Sequence, residues 1–185
     1  ETVLKEAGYV YETEGATVRS KDVKALSFTL LYPDTEVHRS LAEFIQRDWA
    51  RLGVQANLEA VPYDLLVNDR LAQRSYHAAL VDLNLSRSPD PDPYPFWDQA
   101  QATGGQNYSQ WDERMASEYL EQARITIDVN ERTRLYNNFQ VIFAQELPAL
   151  MLTYPMYTYA VSSEVKGVSM GPLFDSSDRF ATIMD

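Results

Sequence analysis

Leu26-Ser27-Phe28-Thr29-Leu30-Leu31-Tyr32-Pro33-Asp34-Thr35 is the stretch on which the fold class turns. Leu26, Phe28, Leu30 and Tyr32 alternate with Ser27, Thr29 and Leu31, which is the period of a strand. Pro33-Asp34-Thr35 breaks that strand and offers helix N-caps. Val37, Leu41, Phe44, Ile45, Trp49 and Leu52 then recur at three and four residues, the stripe of an amphipathic helix, and Gly53 ends it. Val54, Ala56, Leu58 and Ala60 alternate again as a second strand. Pro62 opens a short helix through Leu65, Leu66 and Leu71. His77 to Leu85 reads as a third strand, with the continuous apolar run Ala78-Ala79-Leu80-Val81 of a buried one. Strand–helix–strand–helix–strand order predicts a right-handed, mainly parallel α/β sheet. In open sheets of that kind solutes meet the carboxyl ends of the strands. Three connections lie there: Tyr32 to His38, Val61 to Asp64, and Asn84 to Trp97.

Upstream, Thr2 to Ala7 reads as the tail of a helix stopped by Gly8, and Tyr9 to Arg19 as a short hairpin or loop. Downstream, the run Ser88-Pro89-Asp90-Pro91-Asp92-Pro93-Tyr94-Pro95-Phe96-Trp97 carries four prolines, which argue against both helix and central strand. It is expected as a stiff surface loop that either meets a ligand or returns Phe96 and Trp97 to the core. Gly104-Gly105-Gln106-Asn107-Tyr108 is a turn signal. A helix from about Asp112 is expected to show Met115, Tyr119, Gln122 and Ala123 on one face. Asp128 and Glu131 have the spacing of a capping box for a helix carrying Leu135, Phe139, Ile142, Phe143 and Leu147, stopped by Pro148. Ala149 to Tyr154 and Tyr157 to Val161 read as two strands.

Composition narrows the function. The 185 residues suffice for one sizeable core and are short for two domains, and 45% of them are hydrophobic, the proportion of a folded chain. The net charge of −11, with no basic cluster, argues against nucleic acid or anionic lipid as a partner. The chain has no cysteine, which excludes disulfides, thiolate catalysis and cysteine-ligated metals and suits an oxidising compartment. No apolar run approaches the roughly 20 residues of a membrane span. The start at Glu1 without Met, and a first helix too short to open a domain, lead us to expect a piece of a longer mature protein.

Signatures of catalysis are sparse. Asp90, Asp92 and Asp98 could hold a cation or act as an acid–base pair, but the intervening prolines do not fit a calcium loop. His38 and His77, the two histidines, have no metal-ligand spacing. No nucleophile elbow or phosphate-binding glycine loop occurs. A hydrolase or metal-dependent enzyme using Asp90, Asp92 and His38 is the alternative reading. Tyrosines near strand ends, Tyr63, Tyr94 and Tyr154 among them, offer flat amphipathic faces suited to peptides and sugars, or simply to packing.

The order of pieces along the chain carries a resemblance. Leu4-Lys5-Glu6-Ala7-Gly8-Tyr9, the strand Leu26 to Leu31, Leu41-Ala42-Glu43-Phe44-Ile45-Gln46, Leu52-Gly53-Val54 and Tyr76-His77-Ala78-Ala79-Leu80 come first. Asp90-Pro91-Asp92, Asn107-Tyr108, Asp112, Arg132-Thr133-Arg134-Leu135-Tyr136, Gln140, Glu146-Leu147-Pro148-Ala149-Leu150 and Val165-Lys166-Gly167 follow. Together they resemble the C-terminal lobe of the extracytoplasmic solute-binding proteins of the oligopeptide/dipeptide/nickel class, family 5, which serve ABC importers.

The resemblance implies an α/β, Rossmann-like three-layer lobe with a mainly parallel sheet, half of a two-lobe periplasmic-binding-protein fold. Residues 1–185 would form a single C-terminal ligand-binding lobe, with the N-terminal lobe of the same protein missing. It implies a non-enzymatic receptor in the periplasm or at the extracytoplasmic surface, without cofactor or metal. Such a receptor closes on a peptide or other small polar solute and delivers it to an ABC permease, meeting the membrane only through that permease or a lipid anchor elsewhere. The ligand-binding residues it implies are His38, Tyr63, Asn84, Leu85, Ser86, Arg87 and Tyr154. Peptide binders of the class carry an Asp shortly before the Asp-Pro motif to pair with the peptide ammonium. Arg87 stands there in this chain, and a guanidinium attracts a carboxylate instead. An acidic or neutral polar solute is therefore expected as readily as a peptide.

Overall fold

A computed structural model describes residues 1–85, 92–154 and 160–166. The chain divides into two compact units, Glu1–Asp82 and Leu83–Asp185.

The first unit is built on a three-stranded parallel sheet. Its strands β3 (Ser27–Pro33), β4 (Gln55–Val61) and β5 (Ala78–Ala79) lie in the order β4-β3-β5. β3 pairs with β4 along its whole length, from Ser27 opposite Gln55 to Pro33 opposite Val61. As the central strand it is covered on both sides, so Leu30, Leu31, Tyr32 and Pro33 are all buried rather than alternating. α2 (Glu36–Arg51) follows β3, with Thr35 as its N-cap accepting from the His38 amide at 3.3 Å. Ala42 of α2 is fully buried, and Leu41 and Ile45 pack with it on Phe28, Leu30, Tyr32, Leu58 and Leu80. The expected stripe is thus narrower than the sequence suggests: Val37 and Phe44 are exposed, and Trp49 reaches the sheet only by an edge-on contact with Phe28. A three-stranded sheet has room for one row of helix side chains, and the outer apolar positions stay outside that row.

The third strand is much shorter than expected. β5 is two residues long, opposite Leu30 and Leu31, and the Leu80 amide donates to the Leu31 carbonyl at 2.8 Å. The polar groups of Thr29, Leu31 and Pro33 share the β5 side of β3. Pro33 has no amide to continue the ladder, and the Thr29 amide is taken by His77 Nδ1 at 3.3 Å. The apolar run signals burial, but the partner strand limits how much of it can pair.

Before the sheet, α1 (Thr2–Glu6) ends at Gly8, and a hairpin of β1 (Ser20–Lys21) and β2 (Lys24–Ala25) turns through Asp22 and Val23 at positive φ. The hairpin lies just beyond the stretch assigned to it from sequence, which joins it through the Val10–Ser20 bridge. α3 (Tyr63–Leu65) runs into a π-helical turn, Leu66–Leu71, whose Leu66 and Leu71 are buried.

The second unit is helical in its described residues. α4 (Tyr94–Trp97) is a single turn, contrary to the expectation that the prolines exclude helix: Pro93 caps it and Pro95 sits in its first turn, where amides have no helical partner. Its Trp97 is buried with Ala116, Leu120 and Phe139, and Phe143 meets the Trp97 ring edge-on at 4.8 Å. The core-return reading of Phe96 and Trp97 therefore holds. α5 (Arg114–Ile125) buries Ala116, Ser117, Leu120 and Ala123; of the expected face, Ala123 is in that set and Tyr119 packs beside it, while Met115 is exposed. α6 (Val129–Glu146) is capped by Asp128, whose Oδ1 accepts from the Glu131 amide at 2.8 Å. Glu131 turns to Arg134 at 2.6 Å instead of reaching back, so half of the capping box forms. Leu147 is the C-cap, left-handed at φ 50° and exposed rather than part of the core. Ala149 to Tyr154 forms no strand, and most of Tyr157 to Val161 lies outside the described residues.

Candidate ligand-binding site

The carboxyl ends of β3 and β4 lie side by side, because the Asp34 amide donates to the Val61 carbonyl at 2.9 Å. His38 rises from the first turn of α2 directly after β3. Its Nε2 lies 3.1 and 3.3 Å from the two carboxylate oxygens of Asp82, and its Nδ1 lies 2.7 Å from Thr35 Oγ1. A hydroxyl, an imidazole and a carboxylate are thus joined in a line from the helix start to the segment that leaves β5. The His38 side chain is 18% exposed and that of Asp82 64%. Arg39 beside them is paired with Asp34 at 3.0 Å. Its hydrogen bond to the Asp34 carboxylate, then its charge, raise the guanidinium above its ordinary range, so it stays cationic and matched. Tyr63 begins α3 two residues after β4 ends and is exposed.

Asn84 and Leu85 open the second unit, and both are exposed. Tyr154, in the same unit, is 90% exposed. Ser86, Arg87 and Asp90 lie outside the described residues. Sequence reading therefore anticipated His38 and Tyr63 at the rim of the first unit, but it passed over Asp82. Asp82 stands 44 positions from His38, and no motif connects the two.

Of the acidic residues considered for an enzyme, Asp92 and Asp98 take part in local structure, and Asp90 lies outside the described residues. Asp92 accepts from the Tyr94 amide at 3.1 Å and pairs with Arg124 at 3.0 Å, whose guanidinium also covers the Tyr94 ring at 4.2 Å. Asp98 is fully buried and caps a 3₁₀ turn, Gln99–Gln101, through the Ala100 amide at 2.8 Å. Among the described residues, no three His, Asp or Glu side chains gather as a metal site. A hollow of about 290 Å³ opens elsewhere on the first unit, beside Thr29, Glu59, Arg70 and His77, but Glu59 already holds Arg70 at 3.1 Å. No described helix is long and apolar enough to cross a membrane.

Residues 1–108 match the family model of bacterial extracellular solute-binding proteins, family 5 middle region. Over 137 residues, 73% of this chain, the sequence is 33% identical to a dipeptide-binding protein of Escherichia coli K12, of which that stretch is 25%. Over 175 residues it is 25% identical to the oligopeptide-binding protein AppA of Bacillus subtilis, covering 94% of this chain and 32% of that one. The solved structure of AppA with a nonapeptide superimposes with a TM-score of 0.71 at 24% identity, over 80% of this chain and 29% of AppA. NikZ of Campylobacter jejuni, solved with Ni(L-His), gives 0.67 at 23% identity, over 80% and 29%. The chain spans about a quarter to a third of the length of these relatives. The expected α/β fold with its parallel sheet is the fold these structures share. With the family model matched across the whole first unit and into the second, this chain belongs to the bacterial extracellular solute-binding proteins, family 5.

Proposed function

We propose that the chain is the C-terminal ligand-binding lobe of an ABC importer's substrate-binding component, outside the cytoplasmic membrane. In this reading it closes with a partner lobe of the same protein on a peptide or similar small polar solute and then docks on the permease. It performs no chemistry on the solute. The observation that carries the reading is the placement of His38 and Tyr63 after the carboxyl ends of adjacent parallel strands, in a chain of this family. The relatives' descriptions, dipeptide-binding, di/tripeptide-binding and oligopeptide-binding, favour a peptide. Asn84, Leu85, Ser86, Arg87 and Tyr154 are proposed as the remaining contacts. Half a site binds weakly, so the test belongs to the full-length protein. Calorimetry against panels of di- to pentapeptides, sugars and small anions is expected to show peptide binding, weakened by His38→Ala and by Tyr63→Ala. Binding confined to sugars or anions would overturn the peptide assignment.

A further inference from the structure

The bond that fastens the start of β5 to the central strand exists in one protonation state of a histidine. The Thr29 amide of β3 donates to His77 Nδ1 at 3.3 Å, one residue before β5 begins. Nδ1 accepts only while it carries no proton, so the ring there is the neutral tautomer with its proton on Nε2. An imidazolium is a donor at both nitrogens and leaves the Thr29 amide facing another N–H. His77 is exposed, so protons reach the ring without unfolding. β5 is two residues long, and at its other end the Leu80 amide donates to the Leu31 carbonyl. The His77 bond is therefore a large share of what holds this segment to β3.

The described charges beside the ring are paired with one another. Glu59 of β4 and Arg70 of the π-helical turn line the same hollow as His77 and pair at 3.1 Å, and Asp69 lies 3.9 Å from Arg70 Nε. Arg74, three positions before His77, donates to the Leu71 carbonyl. Tyr76, also on the hollow, carries a phenol, which is neutral at the pH where an imidazole titrates. His38, the other histidine, keeps its bonds on protonation. Asp82 accepts from Nε2, and Thr35 Oγ1, with two lone pairs, accepts from both the His38 amide and Nδ1.

We propose that His77 is a proton-sensitive latch on β5. At neutral pH it holds the segment to β3, and below about pH 6, where an imidazole ordinarily takes up its second proton, it lets go. The latched state binds the fewer protons, so its contribution is present above that range and is lost as pH falls through it. Asp82, which holds His38 at the rim, lies three residues past the end of β5. Release of the latch therefore loosens the support of the strand-end rim. The consequence for a solute rests on the solute-binding reading above; the latch itself does not.

Hydrogen exchange at the Thr29 amide of the full-length protein tests this, with each rate divided by the intrinsic rate at its pH. Protection is expected to fall by about fivefold between about pH 7.5 and about pH 5.5, the scale of one neutral hydrogen bond. The fall should run in step with protonation of the His77 ring followed by NMR. His77→Asn puts a side-chain carbonyl in the place of Nδ1, an acceptor that does not titrate, and should hold protection within about twofold over the same range. His77→Ala removes the acceptor and should show the lower protection at both pH values. An equal loss in wild type and His77→Asn, or wild-type protection unchanged while the ring titrates, overturns the latch. Affinity for Ala-Ala-Ala, by calorimetry, is expected to weaken over this range in the wild type and to hold in His77→Asn. A parallel weakening in both severs the latch from the rim. Absence of binding by any peptide of the di- to pentapeptide panel at either pH overturns the peptide reading, while the exchange result still decides the latch.

Discussion

Arg19 donates from Nε to the Leu52 carbonyl at 2.8 Å, closing the carboxyl end of α2 with a residue 33 positions upstream. The guanidinium is 2% exposed as a residue, reaches the Tyr9 carbonyl at 3.2 Å and lies 4.4 Å over the Tyr11 ring. A cation at a helix C-terminus satisfies orphan carbonyls and opposes the negative end of the helix dipole. Arg19→Met is expected to destabilise the first unit by about 2 kcal/mol, because two partly buried hydrogen bonds from a charged donor are lost. Arg19→Lys should recover only part of it, since an ammonium cannot fork to both carbonyls and stack on Tyr11. Denaturant midpoints of the two variants against wild type check the ranking.

Gly53 stands in the same clamp at φ +79°, and a Cβ there would lie 2.5 Å from Tyr11 Oη and 2.8 Å from Arg19 Cγ. Gly53→Ala therefore meets both a left-handed backbone and a filled space. A loss above about 1 kcal/mol is expected in thermal or urea unfolding. A neutral result would mean that Tyr11 swings away at no cost.

Arg134 holds the Glu131 carboxyl below its ordinary range, through its hydrogen bond before its charge. Because the folded value lies below the unfolded one, the contribution to stability is present above the unfolded pKa. It is lost as pH falls through the folded value. Both side chains are solvent-exposed, so the effect is small and salt-sensitive. In an NMR titration, Arg134→Ala should move the Glu131 midpoint upward toward that of a free glutamate.

Asn107 is fully buried and uses its whole amide. Nδ2 donates to the Asp98 and Trp111 carbonyls at 3.0 and 2.8 Å, and Oδ1 accepts from the Trp111 amide and the Ser109 hydroxyl at 3.1 and 2.9 Å. Asn107→Ala leaves several of these groups without partners in the interior, and a loss of about 3 kcal/mol is expected in the second unit. Asn107→Asp exchanges two donors for charge and should cost at least as much. Trp111 fluorescence during urea unfolding follows the unit directly.

The turn around Asn107 was legible as Gly-Gly-Gln-Asn-Tyr, but the residue's role as a hub was not. A turn signal reports backbone preference, whereas the hub depends on Asp98 and Trp111 converging on one amide. The α5 face shows the same limit. Met115, Tyr119, Gln122 and Ala123 fit a helical stripe, and Ala123 is buried, yet the buried set centres on Ala116 and Leu120, whose smaller or branched side chains let α6 approach. At the rim, the positions of His38 and Tyr63 after strand ends were legible in the sequence, while the carboxylate beside His38 was not.

Local chemistry settled by itself the alternation of strand and helix in the first unit, the caps at Thr35 and Asp128, and the stops at Gly8 and Gly53. Each depends on φ preferences or on bonds spanning three residues, and neighbours in the chain are enough to determine them. Tertiary structure alone decided the two-residue length of β5, the burial of Arg19 at Leu52 and the pairing of His38 with Asp82. Those contacts join residues 33 to 48 positions apart, and they exist only where the sheet and its flanking helix bring separate segments within hydrogen-bond reach.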